Sequence, residues 1–409
     1  MLQEIFPKIY RSYQLSPWAE ELEEFAVWLR AIGYSPHSTY NHLSRLKQAL
    51  ELRADFRPRA AFTIAQLHEA FNSGFSPLQA VGYHATQHAY QRFLAAKSRL
   101  ITPPICDRFA ALRFGYRQYL AELRGFSGKT IHEHDATVRD FLSRALGPHQ
   151  VLTDLTCDDV ERYLLLKSPG IKRQSLQHIV AHLRSFLHYG YERGEIRSRL
   201  EGTIDTPRTY RDELPPRAID WGVVQEFLTS IDCESRTGWR DYTILYLMAH
   251  YGLRPSEIVT LRWDSIDWRE RVLHVEQRKT RSSLVLPLMD QTLSVLRCYF
   301  SRERPNGEHP ELFLRARSPA GALTNVAVTH LFKKWARRSD LPLNGYSAYC
   351  LRHTFAMRLL ERGVGVKTIG DLLGHRNLES TCQYLRLDIN ILRQVALPIP
   401  NIEETGRLR

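Results

Sequence analysis

The sequence predicts a mainly α-helical chain with a small β-hairpin in its C-terminal half. Three observations carry that reading. Apolar residues recur at helical spacing along most of the chain, only residues 272–275 and 283–286 read as short strands, and polar, proline-bearing stretches separate the helical blocks. At 409 residues the chain suits two or three domains, and 43% hydrophobic with 11% aromatic residues can fill real cores. A formal charge of +12 and a pI near 9.5 point to a polyanionic partner, either nucleic acid or an acidic membrane surface. The membrane reading loses: no apolar run approaches the ~20 residues of a spanning helix, mean hydropathy is −0.35, and the first residues lack a secretory pattern. Six cysteines (Cys106, Cys157, Cys233, Cys298, Cys350, Cys382) stand singly with no CxxC pair. That usage argues against structural zinc and a disulfide framework, and fits a reducing cytoplasm. The expectation is a soluble, basic, cytoplasmic protein associated with the nucleoid.

Taken in order, residues 18–52 read as two helices. Leu22, Phe25, Ala26 and Leu29 form one stripe, and Tyr40, Leu43, Leu46 and Leu50 the next. Gly33 ends the first and Ser35-Pro36 starts the second. The design recurs over residues 120–142: Gly33-Tyr34-Ser35 corresponds to Gly125-Phe126-Ser127 at a constant offset of 92. His37 and Ser38 then fall opposite Lys129 and Thr130, which reads as a repeat of one helical hairpin, against the plainer reading that any two helices joined by Gly-aromatic-Ser look alike. Residues 171–196 add a long amphipathic helix whose Lys172, Arg173, His178 and Arg184 lie largely off the apolar stripe. Lys129, Lys172 and Arg173 are candidate phosphate contacts, against the plainer reading of a solvated face. Residues 201–217 turn polar and proline-rich and read as a linker, with an earlier boundary near Pro103-Pro104. The expected organisation is a helical module over 1–104, a second helical module over 105–200, the linker, and a domain over 218–409.

That last domain begins with a helix over 239–251, stopped by Gly252. Arg254 stands at the entry of a helix over 256–263, with Pro255 in its first turn. The two strands follow, joined by a turn carrying Arg278, Lys279 and Arg281, and then helices over 292–300 and 326–338. Residues 347–385 are the best-patterned stretch. Arg352 and His353 open an amphipathic run closed by Gly363; a short helix over 366–373 ends at Gly374 and delivers His375; Tyr384 follows on a third helical segment. An arginine, a histidine and a tyrosine on one side of a small helical cluster suggest chemistry on a phosphate.

GLRPSEIVTLRWDSID at 252–267, a lysine in the following β-turn, LRHTFA at 351–356, LLGH at 372–375, and a tyrosine nine residues past that histidine resemble the tyrosine recombinase, or phage integrase, family. The resemblance spans about residues 108–390. It implies SAM-like helical core-binding DNA domains plus an α+β catalytic domain, and leaves residues 1–100 as an additional arm or a duplicated core-binding module. Arg254 and Arg352 match the two arginines that clamp the phosphate, as planar guanidinium groups do bidentately. Tyr384 matches the nucleophile, whose attack gives a 3′-phosphotyrosyl link and a free 5′ hydroxyl without metal, cofactor or ATP. Lys279 matches the general acid for the leaving oxygen, with Arg278 and Arg281 as DNA contacts beside it. His375 matches the histidine that hydrogen-bonds the scissile phosphate.

One position departs from the pattern. Tyr349 stands where the family usually has histidine, three residues before Arg352. A phenol can donate a hydrogen bond to phosphate but cannot serve as a base near neutral pH. His353 reads as a packing or capping residue. The tail after Tyr384 resembles that of recombinases encoded by transposable elements, and its Leu387, Ile391, Leu392 and Val395 suit a helix docking on a neighbouring protomer. The implied partners are double-stranded DNA with specific recombination sites, further copies of the chain as a dimer to tetramer on DNA, and other recombinases of the same element. Two other readings compete: a non-catalytic DNA-binding accessory protein or repressor on the same fold, and a type IB-like topoisomerase relaxing DNA through the same intermediate.

Overall fold

The computed structural model describes residues 1–72, 77–101, 107–208, 217–277, 282–305, 309–317, 321–375 and 377–385. Its residues fall into two compact units, one of Met1–Ile101 and Leu214–Arg409, the other of Thr102–Glu213. The fold is mainly helical with a small sheet, as the periodicity predicts.

Residues 1–101 contain α1 (Leu2–Ile5), α2 (Tyr10–Gln14), α3 (Ala19–Ala31), α4 (Pro36–Glu51), β1 (Phe62–Thr63), α5 (Ile64–Asn72), α6 (Pro77–Ala96) and β2 (Leu100–Ile101). Their apolar core is a cluster of its own, built on Leu22, Phe25, Leu29, Leu43, Leu46, Tyr90 and Phe93. The other unit holds α7 (Ala110–Glu122), α8 (Gly128–Ala145), α9 (Cys157–Lys167) and α10 (Arg173–Glu192). Its core centres on Tyr116, Leu120, Phe141, Leu183 and Phe186 and takes in Leu200 and Ile204 from the polar stretch that follows.

The repeat seen in sequence is a repeat of structure. Gly33 and Gly125 both take positive φ (83° and 61°), the left-handed turn that glycine enters without a Cβ penalty. Ser35 then caps α4 by accepting from the Ser38 N–H at 3.2 Å, and Ser127 caps α8 from Thr130 at 3.3 Å. The same offset of 92 relates two buried histidines. His42 lies edge-on to Tyr34 at 5.2 Å, and His134 lies 5.5 Å from Phe126. The correspondence extends to four helices, because α3 packs on α4, α4 on α5 and α6, and α5 on α6, just as α7 packs on α8, α8 on α9 and α10, and α9 on α10.

Residues 217–385 carry α11 (Trp221–Thr229), α12 (Gly238–Tyr251), α13 (Pro255–Ile258), β3 (Ile266–Asp267), β4 (Val272–Gln277), β5 (Ser282–Pro287), α14 (Asp290–Arg302), α15 (Asn325–Arg338), α16 (Tyr349–Glu361), α17 (Val366–Leu373) and α18 (Glu379–Cys382). The sheet is antiparallel in the order β3-β4-β5, with Leu273 opposite Leu286 and Val275 opposite Leu284. α12 is buried on nearly every face and packs against α14 and α16.

Three expectations need correction. The helix predicted over 256–263 stops at Ile258, because the Thr260 hydroxyl donates to the Ser256 and Glu257 carbonyls and the Leu261 carbonyl accepts from the Leu312 N–H at 2.8 Å. The predicted two-stranded hairpin gains β3, too short to show a period. Tyr384 lies in the turn after α18, its N–H bonded to the Thr381 carbonyl at 3.0 Å, rather than within a helix. No described helix is long and apolar enough to cross a membrane.

Candidate active site

α12 ends where Gly252 takes φ 64°, and a side chain there would overlap Phe355 and Leu373. The reversal aims the Gly252 carbonyl at the Arg352 Nη1 (2.6 Å) and brings Arg254 to the start of α13, with Pro255 supplying the fixed φ of a first helical turn. Glu257, three residues on, accepts the Arg254 backbone N–H at 2.8 Å and pairs with its guanidinium at 2.5 Å. The same carboxylate lies 3.8 Å from the Arg352 Nη1. One buried carboxylate therefore holds both cations, which would otherwise repel each other in a low-dielectric interior.

Arg352 is only 4% exposed on α16. The helix is fastened through Thr354, whose hydroxyl donates to the Ile219 carbonyl at 3.0 Å and accepts the Ile219 N–H at 2.8 Å. The Arg352 Nη2 donates to the Leu373 carbonyl at 2.6 Å and approaches the His375 Nε2 at 3.3 Å. Burial, then the neighbouring Arg254, pull this guanidinium down to about 10, which leaves it charged at neutral pH.

α17 ends at Gly374 with φ 60°, where a Cβ would overlap the Gln277 carboxamide. Gln277, the last residue of β4, also donates to the Leu373 carbonyl at 3.4 Å. The C-terminal end of β4 is thereby anchored beside His375. His375 Nδ1 lies 2.7 Å from the hydroxyl of Thr381, itself buried, which fixes the plane of the imidazole.

Tyr384 is 2% exposed and lies against α16. Its hydroxyl is 3.0 Å from the His353 Nδ1, with ring centroids 5.7 Å apart. Burial holds the phenol's pKa above its ordinary value, a rise that the charges of Arg352 and Arg254 offset only in part. A phenol under two guanidinium fields is placed to develop negative charge at its oxygen.

The structure thus brings Arg254, Arg352, His375 and Tyr384 into one cluster, with Arg352 and Tyr384 buried and Arg254 and His375 part-buried. Tyr349, the first residue of α16, is 46% exposed, and its hydroxyl has no hydrogen-bond partner among the described residues. Lys279, Arg278 and Arg281 lie outside the described residues, as do Leu387, Ile391, Leu392 and Val395. Lys129, Lys172 and Arg173 belong to the unit Thr102–Glu213, all exposed, with Lys129 3.7 Å from Glu133 on its own helix. Sequence reasoning left Glu257 and Thr381 out of the site and read His353 as a packing or capping residue. Glu257 had a visible signal, a carboxylate three residues after Arg254 at a helix start. His353 and Thr381 had none, since their contacts depend on how α17 folds back. Among the described residues no group of three or more His, Cys, Asp or Glu could hold a metal ion.

Comparison with known proteins agrees with this geometry. Residues 221–390 match the phage integrase family. A protein of Sinorhizobium fredii, y4rA, named as an integrase/recombinase, is 31% identical over 287 residues, 70% of each chain. A second from that organism, y4rF, is 29% identical over 394 residues, 93% of this chain and 91% of its own, so its likeness extends through the N-terminal helices. A solved structure of λ integrase (residues 75–356), a dimer bound to a COC′ core site, shares the fold with a TM-score of 0.54 at 20% identity, covering 71% of this chain and 98% of that one. The chain belongs to the phage integrase family, the tyrosine recombinases.

Proposed function

We propose that the protein is a site-specific DNA integrase or transposase that cuts and rejoins strands through a covalent 3′-phosphotyrosine, without metal or ATP. The observation that carries this reading is the Tyr384 phenol, buried at the focus of the Arg254 and Arg352 charges. The two guanidinium groups hold the non-bridging phosphate oxygens, and their stabilisation grows as negative charge accumulates in the transition state. His375, steadied by Thr381, hydrogen-bonds the same phosphate. The Tyr384 oxygen attacks phosphorus, the bond to the 5′ oxygen breaks, and Lys279 protonates that leaving oxygen. Because the phosphotyrosyl link conserves the energy of the broken bond, a second 5′ hydroxyl can reverse the step. Tyr349, half-exposed at the mouth of the site, donates a hydrogen bond to phosphate.

In the same proposal residues 218–409 form the catalytic domain and 201–217 the linker. Residues 105–200 form the core-binding domain, and residues 1–104 a second DNA-binding module of the same four-helix plan. Lys129, Lys172, Arg173, Arg278 and Arg281 contact DNA phosphates. The protein acts as a dimer to tetramer on paired sites, together with other recombinases of its element. Support for assembly on DNA comes from the λ integrase likeness, since that structure is a dimer on its core site.

The test is to trap the protein on nicked double-stranded DNA carrying the ends that flank its own gene. A detergent-resistant adduct that maps to Tyr384 and is lost in Tyr384→Phe is the expected result. An adduct persisting in Tyr384→Phe overturns the assignment.

A further inference from the structure

The attacking phenol must lose a proton, and the position that usually carries the family's histidine holds Tyr349, which cannot receive one near neutral pH. Among the described residues, the Tyr384 hydroxyl has one hydrogen-bond partner, the Nδ1 of His353 at 3.0 Å. The pair is 31 residues apart in sequence, and Tyr384 is held in a turn closed on Thr381. Hydroxyl and ring nitrogen can each donate or accept in such a contact; with the imidazole proton on Nε2, the Nδ1 lone pair faces the Tyr384 O–H and accepts from it.

We propose that His353 is the general base for Tyr384, taking over in this chain the proton-accepting role that Tyr349 cannot perform. The inference rests on Tyr384 being the nucleophile. The Tyr384 oxygen forms its bond to phosphorus as its proton passes to the His353 Nδ1. The bond between phosphorus and the 5′ oxygen breaks, and that oxygen takes a proton from Lys279. In rejoining, the 5′ hydroxyl attacks, its proton returns to Lys279, and the imidazolium gives its proton back to the departing phenolate. The Tyr384 phenol lies against His353 and the charge of Arg352 acts on it, while Tyr349 stands one turn earlier on α16. Burial and the charge of Arg352 hold the imidazole below its usual range, so it is neutral and receptive at physiological pH.

The experiment measures adduct formation on the nicked DNA by wild type, His353→Asn, His353→Ala, Tyr349→Phe and Lys279→Ala. Each variant is also assayed for binding to the intact site. Asparagine keeps a hydrogen-bonding atom near the Nδ1 position but cannot accept the proton. Both His353 variants should bind as wild type does and cleave about 10²–10⁴-fold more slowly. Tyr349→Phe should lose only a few-fold. The acid limb of the wild-type pH–rate profile, falling at a pH below about 6.5 as the imidazole protonates, should disappear in His353→Asn. A substrate with sulfur in place of the bridging 5′ oxygen leaves without needing a proton. It should therefore restore Lys279→Ala and leave His353→Asn slow.

His353→Asn cleaving within about threefold of wild type, or rescue of that variant by the sulfur substrate, would overturn the proposal. Parallel loss of binding and cleavage in both His353 variants would mark a structural role and overturn it equally. A wild-type protein that forms no Tyr384 adduct refutes the nucleophile assignment instead, so the two failures are distinguishable.

Discussion

The basic residues of the C-terminal site and those on the helical unit Thr102–Glu213 carry the same charge in opposite circumstances. Arg352 is buried with its donors committed to two backbone carbonyls, His375 and a shared carboxylate. Lys172 and Arg173 stand exposed at the N-terminal end of α10, with no ion-pair partner among the described residues. The buried group meets an incoming phosphate with its orientation already fixed, so its contribution appears in the reaction rate. The exposed pair surrenders side-chain freedom and counterions on binding, so its contribution appears in affinity and its salt dependence.

Glu257 is the sharpest place to break the buried arrangement. Its carboxylate sits between two guanidinium groups, 2.5 Å from Arg254 and 3.8 Å from Arg352. Glu257→Gln keeps the shape and removes the charge, which leaves two desolvated cations facing each other. Urea unfolding should show a loss of about 3 kcal/mol, the lower end of what breaking a buried pair costs. Cleavage should fall about 10²–10³-fold as the phosphate clamp loses its geometry. Unchanged stability would mean that the Gly252 and Leu373 carbonyls alone hold Arg352.

Thr381 tests a weaker link in the same site. Thr381→Val removes the hydroxyl 2.7 Å from the His375 Nδ1 at nearly constant volume. The imidazole then loses the hydrogen bond that fixes its plane, at a cost of about 1 kcal/mol. Single-turnover cleavage should slow roughly tenfold with DNA affinity unchanged. A variant as fast as wild type would show that Arg352 suffices to orient the ring.

How much of this was legible depended on how local each interaction is. Gly33, Ser35, Gly125 and Ser127 act within one turn of themselves, and the caps they predict are formed. Arg254, Arg352, His375 and Tyr384 were legible as a set because motif spacing encodes them, although no single one is distinctive. What stayed hidden depends on chain reversals. The parallel pairing of Phe62 with Leu100 joins two-residue strands from opposite ends of a helical pair. Glu257 could be read as a partner of Arg254, but its approach to Arg352, ninety-five residues later, needed the Gly252 turn. The His353–Tyr384 contact likewise exists only because α17 and α18 fold back over α16.

The smallest expected effect lies on the exposed side of the comparison. Lys172 caps α10 through its backbone and Arg173 is the first helical residue, so neither side chain supports the fold. Replacing both by alanine should leave the unfolding midpoint nearly unchanged, since surface substitutions usually fall within about ±0.5 kcal/mol. If each neutralises one DNA phosphate, the slope of log K against log salt should become shallower by about two. The cleavage rate of fully bound DNA should match wild type, because these groups act in binding before the phosphorus is attacked. A shallower slope with an unchanged bound-state rate would separate positioning from chemistry in the way their burial predicts. An unaltered slope would assign the pair to a solvated face, and the DNA contacts of α10 would have to come from other residues.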